Sequence, residues 1–176
     1  PAFYDRVNRR GEPVKTGGDR AYGPPPRDWL GSCTTGPGFP ADACNNKLIG
    51  AKVFSAGFKA AVAANATVPF FGNFYDVPRD ELGHGTHTLS TAGGNAKAPG
   101  VAGNGAAVGY TSGIAPRARV ASYKALFGRI DPVNGLVGSG YTSDLVAAID
   151  AAVADGVDVI NYSVSGSQTS LMDPVE

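Results

Sequence analysis

Residues 80–93 of this chain are Asp80-Glu81-Leu82-Gly83-His84-Gly85-Thr86-His87-Thr88-Leu89-Ser90-Thr91-Ala92-Gly93, and both of its histidines lie within them. Imidazole suits proton transfer, because its unperturbed pKa lies nearer to neutral pH than that of other side chains. Gly83 and Gly85 allow a ligand or another backbone to approach the first ring closely. The small residues that follow predict a helix packed deep inside a larger body, whose N-terminal dipole favours a neutral imidazole. We therefore expect His84 to be available as a base.

The local pattern of the two histidines leaves three interpretations open. They can form a hydrogen-bonded pair at a helix start, with a purely structural role. They can bind a metal ion, since His-x-x-His places two rings on neighbouring helix positions. Carboxylates would have to complete such a site, because the sequence holds no third histidine and its cysteines lie far upstream. The third interpretation is a general base for a nucleophile.

Residues 83–88 resemble the histidine box of the subtilisin-like serine proteases (subtilases). The resemblance implies that His84 is the general base and that His87 is structural. With the Ser-Thr-Ala-Gly-Gly-Asn sequence that follows, the box is most similar to the large secreted subtilases of plants and bacteria that carry a protease-associated insert. Residues 44–54 and 155–166 agree with this family in order and spacing. The resemblance implies an α/β class and a three-layer fold with a mostly parallel central sheet, of which this chain encodes a part.

The Ser-His-Asp triad of this family is represented here by its histidine alone. The sequence contains no Gly-Thr-Ser box for the nucleophile and no Asp-Thr/Ser-Gly box for the aspartate. The asparagine of the oxyanion hole is expected beyond residue 166. Because triad members act as a unit, we expect the chain to be inert alone and to need complementary segments of the same protease that carry the Asp, Asn and Ser boxes. The resemblance implies no cofactor and no metal among the site residues.

A hypothesis from a different class is a non-catalytic binding or storage-type protein that keeps only part of the subtilase framework. The mass of a denatured sample separates the two hypotheses. Additional fragments that carry a Gly-Thr-Ser box favour the protease, and a single species with the mass of this chain favours the binding protein.

Substrate binding in subtilases implies two backbone edges between which an extended peptide adds as a strand. The sequence matches one edge with residues 163–166 and the other with residues 138–140, namely Ser163, Val164, Ser165, Gly166, Gly138, Ser139 and Gly140. Ser165 stands where many subtilisins have glycine, which alters the expected shape of the pocket for the residue before the scissile bond. Without the resemblance, residues 138–140 predict an ordinary loop before a helix cap.

Composition limits the classes of partner and the organisation of the chain. Fifteen basic and fifteen acidic residues cancel, so the sequence gives no electrostatic reason to expect nucleic acid or an anionic membrane as a partner. No apolar run approaches the roughly 18–20 residues of a transmembrane helix. We expect one central part of a catalytic domain, with a turn-rich segment at residues 1–45, an α/β core at 46–167 and a tail at 168–176.

Cys33 and Cys44 lie eleven residues apart in a Gly/Pro-rich segment. A local disulfide is expected, which implies an oxidising, extracellular compartment, and two reduced buried thiols are the alternative. Asn65 begins an Asn-Ala-Thr glycosylation sequon in a segment expected to be exposed. Asn161 begins a second sequon, which we discount because we expect it in a buried strand.

Hydrophobic patterning predicts the secondary structure of the core. Strands are expected at residues 48–54, 119–126 and 157–164, a helix at 55–63, and a loop at 128–140. The clearest helix spans Thr142 to Asp155, with Thr142 or Ser143 as N-cap, Asp144 in the first turn and Gly156 as the stop. Because this helix lies between two predicted strands, we expect a βαβ unit with parallel strands and a right-handed crossover.

Overall fold

The structure is a computed structural model, and it describes residues 1–64 and 76–164. Asn65, Ser165, Gly166 and the predicted tail at 168–176 lie outside the described residues. A 3-10 turn spans Ala41–Ala43. The strands and helices, in chain order, are β1 (Arg6–Val7), β2 (Pro13–Val14), β3 (Asp19–Arg20), β4 (Leu48–Val53), α1 (Ala56–Ala64), α2 (His84–Gly93), β5 (Ala98–Val101), β6 (Ala107–Thr111), β7 (Val120–Lys124), β8 (Leu126–Asp131), β9 (Gly135–Gly140) and α3 (Thr142–Asp155).

The parallel pair β4–β7 carries the core, with Leu48 opposite Val120 at its start. Helix α1 packs against α3, and both α2 and α3 pack against β7. Phe58 of α1 and Phe127 of β8 are almost fully buried, and their ring centroids are 4.3 Å apart. Burial of such side chains contributes roughly 1.5–3 kcal/mol each relative to exposure. The arrangement confirms the α/β class and the strands predicted at 48–54 and 119–126.

Helix α3 has the predicted bounds, but its N-terminus is capped differently from the prediction. The N-cap is Tyr141, and no side chain caps this end, so the prediction of Thr142 or Ser143 was wrong. Asp144 is buried and its carboxylate accepts hydrogen bonds from the amides of Gly57 and Phe58, at the start of α1. These amides have no partner within α1, and the Phe58 amide is buried while that of Gly57 is half-buried, so the carboxylate of the neighbouring helix satisfies them.

The end of α3 follows the prediction. Gly156 adopts a left-handed φ of 88°, and its amide bonds to the carbonyls of Ala152 and Val153. Glycine adopts this conformation without the steric cost that a β-carbon brings, which explains why the helix stops here.

Residues 128–140 form most of an antiparallel hairpin, β8–β9, so the predicted loop was wrong. The connecting turn is built by Asp131, whose Oδ1 accepts hydrogen bonds from the amides of Val133 (3.0 Å) and Asn134 (2.9 Å). Gly135 closes the turn with a left-handed φ of 73°. Glycines inside the two strands weaken the strand pattern in the sequence, while the Asn-Gly pair is a turn signal that the prediction did not use.

Residues 157–164 form no strand, so the third predicted strand and the βαβ unit that depended on it were wrong. Within the described residues, no other segment pairs with this stretch. Val159 is 82% exposed and Ile160 is 43% exposed. A strand is stable only when its backbone groups are paired, and an apolar pattern alone does not provide that pairing. Asn161 is also exposed, which removes the stated reason for discounting its sequon.

The N-terminal segment is more ordered than the turn-rich prediction, since β1, β2 and β3 form a small antiparallel sheet. Cys33 and Cys44 form the predicted disulfide. Beside it, Ala51 of β4 donates its amide to the carbonyl of Ser32 (3.0 Å) and accepts the amide of Thr34 (2.7 Å). The loop closed by the disulfide therefore lies along β4.

Lys47 is fully buried just before β4. Its ammonium donates to the carbonyls of Pro116 and Ala118 and lies 5.0 Å from the ring centroid of Tyr22. The Tyr22 hydroxyl lies 2.6 Å from the carbonyl of Pro116 and 2.8 Å from Oδ1 of Asn95. Burial, with a smaller contribution from nearby Arg117, lowers the pKa of Lys47 to about 8. These contacts connect the N-terminal segment to both strands of the parallel pair.

Candidate functional site

His84 is the first residue of α2, and His87 lies one turn further along. The N-cap is Gly83, whose φ of 85° is left-handed and favours glycine. Both imidazoles are exposed in the described chain, and Gly93 at the far end is the buried residue of the helix. The prediction that this helix is packed deep inside the body was therefore wrong here. Only its first turn, which carries both rings, is fully exposed, and the residues from Thr88 to Ala92 are mostly half-buried.

The start of α2 is held by Asp80. Its Oδ1 accepts the amides of Leu82 (3.0 Å) and Gly83 (2.8 Å), and its Oδ2 accepts the amide (2.8 Å) and hydroxyl (2.7 Å) of Thr86. Burial by itself raises the pKa of Asp80, but the hydrogen bonds from Thr86, Gly83 and Leu82 outweigh burial and hold this pKa below its ordinary value. Asp80 thus remains charged and fixes the backbone on both sides of His84.

Glu81 makes a second, separate set of contacts. Its side chain is 6% exposed, and its Oε1 lies 2.9 Å from Nζ of Lys124, which is 8% exposed. Its Oε2 accepts the amide of Gly128, in β8, at 3.2 Å. Lys124 also donates to the carbonyl of Arg79 at 2.7 Å. Glu81 therefore joins the segment before His84 to the end of β7 and to the β8–β9 hairpin.

The predicted substrate-binding residues Gly138, Ser139 and Gly140 lie in β9, so the alternative of an ordinary loop was wrong. A β-carbon placed on Gly138 would lie 3.3 Å from Cδ1 of Leu82. This distance is shorter than an ordinary van der Waals contact, so β9 lies directly against the segment that precedes His84. The hairpin brings one predicted edge and the predicted base into the same region of the surface.

The other predicted edge lies beside His87. Ser163 and Asn161 line an open cavity of about 220 Å³ together with residues of α2 and the segment before β7, namely His87, Thr88, Thr91, Ala92 and Ile114. The Asn161 amide and the Ser163 hydroxyl are hydrogen-bonded to each other at 3.1 Å. Val164 is half-buried, and Ser165 and Gly166 lie outside the described residues. The cavity therefore places His87, rather than His84, against this edge.

The chemistry open to the two imidazoles follows from their surroundings. Across residues 1–64 and 76–164, neither ring has a side-chain hydrogen bond or ion pair. The same residues contain no group of three or more His, Cys, Asp or Glu side chains that could hold a metal ion. In the part of the chain that the structure describes, no helix has the length and apolar character needed to cross a bilayer. An imidazole exposed at a helix start whose backbone Asp80 holds is accessible to a group brought to it.

A family model described as "Subtilase family" matches residues 43–175. The chain belongs to the subtilase family. The match includes the histidine box, the parallel pair and both predicted substrate-binding edges. It confirms the resemblance inferred from residues 83–88, and subtilisin-like proteases as a class are serine endopeptidases.

Individual relatives of this subtilase segment come from Arabidopsis thaliana. It is 43% identical over 152 residues to Subtilisin-like protease SBT4.3, covering 86% of this chain and 17% of the relative. It is 44% identical over 150 residues to Subtilisin-like protease SBT1.5, covering 84% of this chain and 17% of the relative. With Subtilisin-like protease SBT3.4 the identity is 43% over 162 residues, covering 89% of this chain and 20% of the relative. The subtilase segment thus spans about a fifth of the length of these relatives.

Sequence reasoning missed the contacts that Asp80 and Glu81 make around the start of α2. A signal for Asp80 was present, because an acidic residue just before a predicted helix start is a common capping arrangement. No local signal identifies Glu81, whose partners Lys124 and Gly128 lie more than 40 residues away in the sequence.

Proposed function

We propose that this chain is the central segment of a secreted subtilisin-like serine endopeptidase, in which His84 is the general base of a Ser-His-Asp triad. One observation carries the proposal: the imidazole of His84 is exposed at the first position of α2, on backbone that Asp80 fixes on both sides. A general base must be accessible to a nucleophile and must be held in a constant orientation. His87, one turn away, supports the helix and the adjoining cavity.

The proposed reaction needs groups that this sequence does not contain. Complementary segments of the same protease supply the aspartate that orients His84, the asparagine of the oxyanion hole and the nucleophilic serine. His84 removes the proton of that serine as it attacks the peptide carbonyl and later returns the proton to the leaving amine. The segment alone is inert, because residues of a triad act as a unit.

The proposed substrates are peptides and proteins bound in an extended conformation. Strand β9 pairs with β8 along one edge, and its other edge has no strand partner among the described residues. An unpaired edge that contains Gly138 and Gly140 offers backbone donors and acceptors to a peptide at close range. Ser163, Val164, Ser165 and Gly166 form the second edge in this proposal, and Ser165, where many subtilisins have glycine, alters the expected shape of the pocket for the residue before the scissile bond.

An extracellular location is part of the proposal. The disulfide between Cys33 and Cys44 supports an oxidising compartment. In such a compartment Asn65 is the proposed glycosylation acceptor. The balanced net charge of the sequence gives no electrostatic support for nucleic acid or a membrane surface as a partner.

Substitution of His84 in the full-length protein tests the proposal. We expect His84→Ala to reduce kcat for peptide hydrolysis by a factor on the order of 10⁴ or more, since the remaining triad members do little without the base. His87→Ala is the matched control, and we expect it to retain turnover per folded molecule while lowering the thermal midpoint. Near-normal turnover by His84→Ala, with turnover abolished in a folded His87→Ala, would reverse the two assignments.

The non-catalytic alternative makes the opposite prediction. A binding or storage-type protein would show no peptide hydrolysis in any preparation, and its mass spectrum would contain no fragment with a Gly-Thr-Ser box. Hydrolysis that depends on His84 excludes this alternative.

A further inference from the structure

Asp80 and Glu81 are adjacent in the sequence, but their carboxylates serve different parts of the site. Among residues 1–64 and 76–164, the bonds of Asp80 go to the turn and first helical turn around His84, through Leu82, Gly83 and Thr86. Glu81 bonds to Lys124 and to the amide of Gly128. Two neighbouring carboxylates therefore connect the same short segment to two separate structural elements.

The contacts of Asp80 control the backbone that carries His84. Gly83 has no side chain with which to cap α2, and glycine at its left-handed φ of 85° has more backbone freedom than any other residue. Asp80 supplies the missing cap, since one of its oxygens holds the Gly83 amide and the other holds the Thr86 amide, at 2.8 Å each. His84 lies between these two fixed points.

The contacts of Glu81 control the position of the β8–β9 hairpin. Gly128, which donates to Glu81, lies directly opposite Gly138 in the hairpin register. Glu81 also pairs with Lys124, at the end of β7, through two side chains that are each less than one-tenth exposed. A carboxylate held this firmly fixes the hairpin relative to the segment that precedes His84.

We propose that Asp80 and Glu81 are positioning residues with separable effects, Asp80 orienting the base His84 and Glu81 placing the peptide-binding edge Gly138–Gly140. This inference rests on the proposed function of His84 and β9. Orientation of the base is needed in the transition state, so its loss lowers kcat. A correctly placed substrate-binding strand stabilises the bound substrate and the transition state by the same amount, so displacement of the strand raises KM and leaves kcat unchanged.

The test measures kcat and KM separately in the full-length protease with a peptide substrate. We expect Asp80→Asn to lower kcat roughly 10-fold or more with little change in KM, because small displacements of a catalytic group are costly. We expect Glu81→Gln to raise KM several-fold with little change in kcat. Asp150→Asn, which removes an exposed carboxylate from α3, is the matched control and leaves both constants unchanged.

Further variants keep the test informative if a single substitution prevents folding. Thr86→Val removes the 2.7 Å hydroxyl bond to Asp80 and is expected to lower kcat, and Thr86→Ser recovers most of that loss. The double variant Glu81→Leu/Lys124→Met removes both charges of the buried pair, so no unpaired charge remains, and it is expected to raise KM.

Two outcomes overturn the inference. The first is that the Asp80 and Glu81 variants change kcat and KM in the same proportions, which would indicate a general loss of structure. The second is that folded variants of both residues keep wild-type constants. If either occurs while His84→Ala abolishes hydrolysis, the inference fails and the proposed function stands. If His84→Ala retains full hydrolysis, the proposed function itself fails.

Discussion

The carboxylate of Asp144, in α3, accepts a 2.9 Å hydrogen bond from the backbone amide of Phe58, in α1. A second bond, 2.8 Å long, comes from the amide of Gly57. Asp144 is 2% exposed, and its bond to the Phe58 amide is buried while its bond to the Gly57 amide is partly buried. A β-carbon on Gly57 would overlap the hydroxyl of Ser143 and lie 3.1 Å from Cβ of Tyr141, so the two helices approach closely at this glycine. A buried acid on one helix therefore caps the other.

The first prediction concerns this inter-helix cap. Asp144→Ala leaves the buried amide of Phe58 and the half-buried amide of Gly57 without acceptors, and we expect it to lower the free energy of unfolding by about 2–4 kcal/mol. The change in the free energy of unfolding is measured by urea unfolding of the variant and the wild type. Asp150→Ala, on the exposed face of the same helix, is the control and should cost less than about 0.5 kcal/mol. Equal losses in the two variants would contradict the role given to Asp144.

The second prediction concerns the pH dependence that Lys47 imposes. Its pKa is about 8 in the fold and 10.5 in the unfolded chain, so the unfolded chain binds more protons between these values. The free energy of unfolding should therefore rise as pH increases from about 8 towards 10.5, as Lys47 loses its proton in the fold. Below about pH 8 Lys47 is charged in both states, and the full cost of burying its charge lowers the free energy of unfolding.

Urea unfolding of wild type and of Lys47→Met is compared from about pH 8 to pH 9.5. The free energy of unfolding should rise with pH in the wild type and should not show this rise in the variant. The comparison also removes contributions from other groups. Tyr123 has a raised pKa because of burial and its hydrogen bond to Asp155, and it acts with the opposite sign above about pH 10. Parallel pH profiles for the two proteins would show that Lys47 is not responsible.

The third prediction concerns the reactivity of the isolated 176-residue chain. We expect no covalent label from a serine-directed fluorophosphonate, because the sequence lacks the Gly-Thr-Ser box. Intact-mass spectrometry detects the adduct, and the full-length protein serves as the positive control. Stoichiometric labelling of the isolated chain would identify a different serine as a nucleophile.

The fourth prediction concerns association through exposed apolar residues. Ile114, which lines the cavity beside His87, is 86% exposed, and Val159, two residues before Asn161 of the same cavity, is 82% exposed. We expect the isolated chain to self-associate at micromolar concentration, since exposed apolar surface of this kind is buried by association. Light scattering should show a smaller mean mass for Ile114→Ser/Val159→Ser.

Val133→Ser is the matched control for association, because Val133 is 89% exposed at the hairpin turn, away from this cavity. It should leave the scattering unchanged. A monodisperse monomer of wild-type chain would show that the apolar residues are tolerated in water, and the binding-protein hypothesis would gain support.

The sequence predicted those parts of the fold that depend on local patterns. Helix α3 was found with its bounds because apolar residues recur at helical spacing and Gly156 supplies the stop. The strand at residues 157–164 was wrong because the same apolar pattern requires a partner strand, and pairing is not a local property. The β8–β9 hairpin was missed because its strands contain Gly128, Gly138 and Gly140, which carry no hydrophobic signal.

The site divides in the same way between local and distant interactions. His84, with its flanking glycines, is recognisable from adjacent residues, and its position at the start of α2 was predicted. The link between Glu81 and Gly128 spans 47 residues, and the link between Asp144 and Phe58 spans 86. No pattern within a short window reveals which buried carboxylate will meet which amide.

The position of Ala51 has a consequence for the solubility of the chain. Its backbone amide and carbonyl face Ser32 and Thr34, while its neighbours in β4 pair with β7. The disulfide loop therefore occupies the side of β4 that would otherwise offer a template to a strand from another molecule. This loop protects a sheet edge, and amyloid-like growth from β4 would first have to displace it.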